Sequence, residues 1–336
     1  MIILSFRVEN SNMNTVYESF KTLVNPEGYQ FESVNCYQCG QDDCEVFLIG
    51  EEDLTGKEGQ FQYVNCNNCG LKYHNPRIHL NQIKEFYDSE YIAHRKKTDW
   101  GLLTPLYERA MNKHDREKNK LITKYVSLNN DSRVLDVGCA VGTFLTYLKK
   151  KHQCFISGVD FKKDLNYPGF EDIDFHCGLF YEQDSLDESS YDLITMWHFL
   201  EHCYSPTKSL VKAHTLLNKN GKLIIEVPRL DSLSYKIYGR KWPGIQAPQH
   251  TVMFDKKNLI SMIENAGYEI EEYLPYGAFP AYFYLFAGLW FKVYGKGLNL
   301  DKIMMPYFMG QLMLMPILLF EKKINLAMQT VICRKK

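Results

Sequence analysis

Residues 134–144 read Val-Leu-Asp-Val-Gly-Cys-Ala-Val-Gly-Thr-Phe. The apolar run Val134, Leu135, Val137 stops in a bend bracketed by Gly138 and Gly142, and a helix-like stretch from Thr143 to Lys151 follows at once. The pattern predicts a strand, a tight loop and a helix N-terminus, the arrangement in which backbone N–H groups meet the polar end of a ligand. Further on, Ile156-Ser-Gly-Val-Asp160 reads as a second strand, its tip an acid about eighteen residues past Gly142. An acid there is placed to hold the two hydroxyls of a ribose.

Two commoner readings of the loop fail. A dinucleotide fold wants G-x-G-x-x-G, whereas the spacing here is Gly138-x-x-x-Gly142 with Ala140 between, and no G-K-[ST] opens the helix as a P-loop would require. Asp136, expected inside the turn, would repel a phosphate but attract an ammonium group. A ligand with an amino-acid end and a ribose end fits both acids, and S-adenosylmethionine is such a ligand.

Downstream stand Tyr191-Asp-Leu-Ile-Thr-Met-Trp-His-Phe-Leu-Glu-His202 and Leu216-Leu-Asn-Lys-Asn-Gly-Lys-Leu-Ile-Ile-Glu-Val-Pro228. With the first loop, this ordered set resembles the class I S-adenosylmethionine-dependent methyltransferases over roughly residues 120–275. Their first motif is usually D-x-G-x-G-x-G; here it is Asp136-x-Gly138-x-Ala140-x-Gly142, with alanine for the middle glycine. The resemblance implies a cofactor site of Asp136, Gly138, Ala140, Gly142, Asp160, Phe161, Leu179, Trp197 and His198. It also places 191–202 as the fourth strand and its loop, and 216–228 as a helix end, turn and fifth strand.

The chain has 336 residues, room for one large domain and a small one, and its 45% hydrophobic content supports a real core. A net charge of −1 gives no reason to expect nucleic acid. The N-terminal residues lack the basic leader and apolar length of a signal peptide, so a cytoplasmic location is expected. Ten cysteines, four of them in two C-x-x-C pairs, suggest a reducing compartment and metal. Cys36-Tyr-Gln-Cys39-Gly and Cys66-Asn-Asn-Cys69-Gly form matched knuckles with 26 residues between them. Four thiolates would close a tetrahedral structural zinc site, with no position open for chemistry.

The expected organisation is an N-terminal arm (1–30), a zinc ribbon (31–80), a helical cap or linker (81–126) with aromatics at Phe86, Tyr87, Tyr91, Trp100 and Tyr107, and a methyltransferase domain (127–336). Sheet strands are read at 134–137, 156–160, 174–176, 193–197, 223–227 and 269–274, with a last strand from Met328. Alternation with helices predicts an α/β fold built on a doubly wound parallel sheet, which the resemblance makes the seven-stranded sheet of class I methyltransferases. A hydrophobic insertion, 278–322, precedes the last strand. Ala278 to Phe291 and Ile303 to Phe320 carry no charge, the second broken by Pro306 and Pro316. Neither run is a comfortable transmembrane helix. The insertion is expected to contact a membrane at its inner face, to cover a lipid-linked substrate, or to form a homodimer interface or extra core.

Methyl transfer from a sulfonium is mainly a positioning task, and a hydroxyl or carbon acid must also lose a proton. The loop after the fourth strand offers His198, Glu201 and His202; a second loop offers His250, ranked first as general base. The ribbon-plus-class-I layout resembles zinc-ribbon sugar methyltransferases, where a histidine in a similar segment suits that role. Gln249 stands where an acidic partner is usual, which counts against C-methylation through a Glu–His pair. The acceptor expected is a small molecule, a sugar or lipid-linked glycan intermediate, with a quinone-like molecule as the alternative. A non-catalytic membrane-recruited scaffold is the reading from another class, and a nicotinamide reductase is disfavoured by the loop spacing.

Overall fold

The computed structural model describes residues 11–24, 28–87, 104–162, 169–298, 300–318 and 320–336. The expected aromatics Tyr91 and Trp100, the Tyr107 side chain and the first ten residues of the arm lie outside it.

In chain order the N-terminal elements are α1 (Ser11–Lys21), β1 (Phe31–Glu32), β2 (Cys44–Glu51), β3 (Gln60–Cys66), β4 (Lys72–His74), β5 (Arg77–Ile78) and α2 (Leu80–Ile83). Then come α3 (Thr104–Ile122), β6 (Arg133–Val137), α4 (Thr143–His152), β7 (Phe155–Asp160), β8 (Asp174–Cys177), β9 (Tyr191–Trp197), α5 (Pro206–Leu216), β10 (Leu217–Pro228) and α6 (Leu233–Tyr238). The chain closes with β11 (Val252–Met253), α7 (Lys256–Asn265), β12 (Tyr268–Leu274), α8 (Ala281–Tyr294), α9 (Leu300–Leu318) and β13 (Met328–Lys335).

Seven strands form one sheet in the order β12-β13-β10-β9-β6-β7-β8. Its central members β6, β9 and β10 are buried apolar runs, as strands covered on both faces must be. Local chemistry sets the helix ends. Asp255 caps α7 by accepting the Asn258 N–H at 2.8 Å. Lys149, Lys150 and Lys151 fill the last turn of α4, where cations suit the helix dipole.

This is the expected seven-stranded sheet, and one strand in it is reversed: β13 runs antiparallel to both β10 and β12. The reason lies in α8 and α9. Side chains from both line a cavity at the carboxyl ends of the strands, so the chain stays at that end after β12 and re-enters the sheet from it.

A second sheet, β11-β4-β3-β2, carries the cysteine knuckles. Its strand β11 comes from far downstream, pairing Val252 with Tyr73 and Met253 with Lys72. The N-terminal ribbon is thus sewn to the loop that holds His250.

The bend between β6 and α4 depends on Gly142. Its φ is +72°, and a Cβ there would lie 2.4 Å from Ile173 Cδ1, a buried side chain. Gly142→Val therefore combines backbone strain with overpacking. We expect it to lower unfolding free energy by about 2–4 kcal/mol, measured by urea denaturation; wild-type stability would show that the bend tolerates a branched side chain.

Candidate active site and cysteine cluster

The carboxyl ends of β6, β7 and β9 open into a cavity of about 510 Å³. This is where open α/β sheets bind ligands, and the volume is that of a small-molecule site. Helix α3 contributes His114 and Lys118 to its wall, and α8–α9 contribute Phe283, Tyr284, Ile303 and Tyr307.

The first bend is held by its neighbour strand. Gly138 and Cys139 donate to the Val159 carbonyl at 2.8 and 3.1 Å. Gly138 has φ +78°, and a Cβ there would meet the Phe199 ring at 3.0 Å. Ala140 takes a left-handed φ of 46° and donates its N–H to Asp160 Oδ2 at 2.9 Å. The other Asp160 oxygen accepts from the Lys162 N–H at 3.1 Å. Asp160 therefore braces the bend, and each carboxylate oxygen keeps acceptor capacity for a ligand hydroxyl.

Asp136 lies within β6 rather than in the turn expected from sequence. It is buried and accepts the Thr195 hydroxyl at 2.6 Å. Burial pushes its pKa up to about 6, against the pull of Lys118. Lys118 is itself buried, over the rings of Phe144 (5.0 Å) and Trp197 (5.2 Å). Asp136 and Lys118 thus offer one anion and one cation on a shared wall, the donor set a zwitterionic amino-acid end requires. Lys118 escaped the sequence reading; its i, i+4 spacing with His114 on a helix before the first strand was the available signal.

Phe161, Leu179 and Trp197 all line the cavity, as do Gly138, Ala140, Asp136, Asp160 and His198; Gly142 does not. Phe161 packs edge-on against Tyr87 at 5.1 Å.

The three histidines divide into two kinds. His198, with φ +52°, lies 3.5 Å from Glu201 Oε1 through Nδ1 and 3.4 Å from Glu226 Oε1 through Nε2. Burial opposes its charge, but the two carboxylates prevail and raise its pKa to about 9. At neutral pH the two carboxylates favour its charged form, which suits a base less well than a neutral ring does. Glu201, expected near the acceptor or capping the next helix, is 1% exposed and does not line the main cavity. Among the described residues its carboxylate accepts no hydrogen bond from the start of α5, and its backbone carbonyl accepts the Thr251 N–H at 2.7 Å. Glu226 went unmarked in the sequence because it sits inside an apolar strand.

His202 and His250 are neutral, with pKa values pushed down to about 3 chiefly by burial. Their rings meet edge to face at 4.4 Å, and both line the cavity. His250 Nδ1 donates to the Gly244 carbonyl at 2.8 Å, leaving Nε2 as the nitrogen able to take a proton. His202 Nδ1 lies 3.1 Å from the Gln249 carbonyl and 2.9 Å from the Tyr87 hydroxyl. The Gln249 side chain turns away from His250 and donates to the Phe86 carbonyl at 3.2 Å.

Comparison with known proteins bears on this geometry. A family model described as a methyltransferase domain matches residues 108–273. Among solved structures, a protein from Galdieria sulphuraria assigned as a sarcosine dimethylglycine methyltransferase is 16% identical, covers 68% of this chain and 88% of its own, and superposes with a TM-score of 0.46. A TehB-like S-adenosylmethionine-dependent methyltransferase from Corynebacterium glutamicum is 14% identical, covers 69% of this chain and 97% of its own, and gives 0.40. No curated protein matches the chain significantly. The strand order, the glycine-bracketed bend and the matched domain define a class I methyltransferase. The protein is an S-adenosylmethionine-dependent enzyme of that class.

At the other end of the ribbon, Cys36, Cys39, Cys66 and Cys69 bring their sulfurs within 4.8 Å of one another. Cys36–Cys69 and Cys39–Cys66 stand at 3.5 Å, near the ~3.8 Å edge of a tetrahedron of thiolates around zinc. Gly40 and Gly70 close the two knuckles with matching N–H bonds to the Cys36 and Cys66 carbonyls, at 2.9 and 2.8 Å. The donor set fits a structural zinc ion. Cys44 is buried and lies outside this group of four.

Asp136 could attract an ammonium group only when ionised. With its pKa near 6, affinity for S-adenosylmethionine should fall as pH drops through that value, approaching tenfold per unit below it. Asp136→Asn should bind more weakly at pH 7.5 and lose this limb. Calorimetric titration from pH 7.5 to 5 checks both, and a flat wild-type profile excludes Asp136 as the charged contact.

Proposed function

We propose that the enzyme methylates a small-molecule acceptor, a sugar or lipid-linked glycan intermediate, with His250 as general base. The observation that carries this reading is the neutral His202–His250 pair in the wall of the cavity that also holds Asp136 and Asp160. S-adenosylmethionine, held by Asp136, Lys118, the bend and Asp160, supplies an electrophilic methyl group. The chain's own task is to place the acceptor in line and take its proton. The Gly244 carbonyl fixes the His250 tautomer, and the Tyr63 hydroxyl donates to the His250 carbonyl at 2.7 Å, pinning the backbone. His202 packs against that ring and limits its rotation.

The acceptor half of the cavity is rich in aromatic carbon, with Phe279, Phe283, Tyr284 and Tyr307 along it. Such a surface suits the flat faces of a sugar ring and the apolar tail of a lipid carrier. It would also suit a quinone-like acceptor, and a panel of both acceptor classes separates the readings. A cofactor-free scaffold is separated earlier, by failure to bind S-adenosylmethionine.

His250→Asn should lower turnover by ~10²–10⁴-fold while the dissociation constant for S-adenosylmethionine stays within about threefold of wild type. Wild-type turnover in that variant removes His250 from the mechanism. For the ribbon, we expect close to one zinc per chain, released by a strong chelator with loss of near-ultraviolet signal from the aromatics around Tyr73. A Cys36→Ser, Cys66→Ser double variant that keeps both the metal and full stability would overturn the structural zinc assignment.

A further inference from the structure

Helices α8 and α9 present two unlike faces. Inward, Tyr307 packs on Tyr282 at 4.8 Å and on Phe286 at 5.3 Å, and Gly310 leaves room for the Tyr282 hydroxyl. Outward, Met309, Leu312, Met313 and Phe320 follow one another at helical spacing along α9 and just beyond it, and Leu289 and Val293 do so along α8. These side chains are bare: Leu312 is 67% exposed, Met313 80% and Val293 62%. A stripe of this kind needs a partner.

The charges around it say which. Lys292 and Lys296 stand at the turn between the two helices, and Lys322 and Lys323 follow the far end of α9; all four are exposed, and none forms an ion pair among the described residues. A second copy of the chain, placed on the stripe about a two-fold axis, would bring these lysine pairs toward one another in either orientation. An anionic lipid surface would receive apolar side chains and ammonium groups together. Among the described residues no helix is long and apolar enough to cross a membrane, so the pair would lie in the headgroup plane rather than span it.

We infer that the outer face of α8–α9 docks the enzyme on an anionic lipid bilayer. The surface is independent of the acceptor assignment, because docking needs neither cofactor nor acceptor.

The test is flotation of the full chain with vesicles of phosphatidylcholine alone or with roughly 30% phosphatidylglycerol. Wild type should float with the anionic vesicles and weakly or not at all with the neutral ones. Leu312→Asp with Met313→Asp should abolish flotation. Lys322→Glu with Lys323→Glu should lower partitioning roughly tenfold or more. Unchanged thermal midpoints and unchanged calorimetric binding of S-adenosylmethionine show that the variants keep their fold. The inference is overturned if wild type fails to float with anionic vesicles, if the double aspartate variant still floats, or if sedimentation instead shows a dimer that Leu312→Asp dissociates.

Discussion

Glu226 is a carboxylate sealed from water at the end of β10, and the catalytic half of the molecule is arranged around it. A buried charge without partners would cost several kcal/mol. Here the Ala278 and Phe279 N–H groups donate to its two oxygens at 2.6 and 3.0 Å, the Thr330 hydroxyl, shared with the Tyr276 carbonyl, lies at 3.2 Å, and His198 lies at 3.4 Å. Burial works against ionisation, but these contacts hold the pKa below the ordinary glutamate value. One side chain therefore ties together β10, β13, the entry to α8 and the loop after β9. Gly277 lies so close that a Cβ there would come within 2.6 Å of the carboxyl carbon. The roof over the cavity starts from this point, so the height of α8 above the cofactor bend is set by a hydrogen-bonded charge in the sheet.

The ribbon is a second anchor for the same cavity. Beyond the β4–β11 pairing, the Asn258 side chain donates to the Cys69 carbonyl at 3.0 Å, Thr207 donates to the Tyr37 carbonyl at 2.6 Å, and Arg77 donates to the Tyr204 carbonyl at 2.8 Å. The first two bonds tie the knuckles to α7 and α5, and the third reaches Tyr204, which lines the cavity. Tyr63, stacked on His74 within the ribbon, reaches the His250 backbone. A metal that fixes the knuckles would therefore also stiffen the wall that carries His250.

The strands read most clearly from sequence are those whose own side chains settle their state. Runs such as Val134–Val137 and Leu193–Trp197 are apolar enough that only a central strand can bury them. The matched cysteine knuckles were legible for a similar reason, since spacing alone brings two sulfurs together. What escaped depended on distant partners. The two-residue strand at 252–253 exists because Tyr73 and Lys72 lie beside it. The reversed direction of the last strand follows from helices that stay above the sheet. Glu226 in an apolar strand and Lys118 on a polar helix reveal their roles only when His198 and Asp136 are brought to them. The histidines were legible as residues but not as charges, because protonation is decided by carboxylates and burial that no local pattern displays.

That division of charge suits the reaction. A sulfonium donor is cationic, and an uncompensated imidazolium beside it would oppose its binding. His198 carries a positive charge, but Glu201 and Glu226 flank it. His202 and His250 remain neutral because they are buried together, each further disfavoured by charge on a neighbouring histidine. Asp136 and Asp160 then leave the cofactor bend as the anionic part of the cavity, with Lys118 as its counter-charge. A neutral imidazole with so low a pKa is a weak base toward a resting hydroxyl. In the proposed reaction the acceptor oxygen becomes strongly acidic as the methyl group reaches it, so the proton would pass to the imidazole late in the step. The same desolvation that weakens His250 as a base keeps its ring unprotonated, the state the proposed role requires.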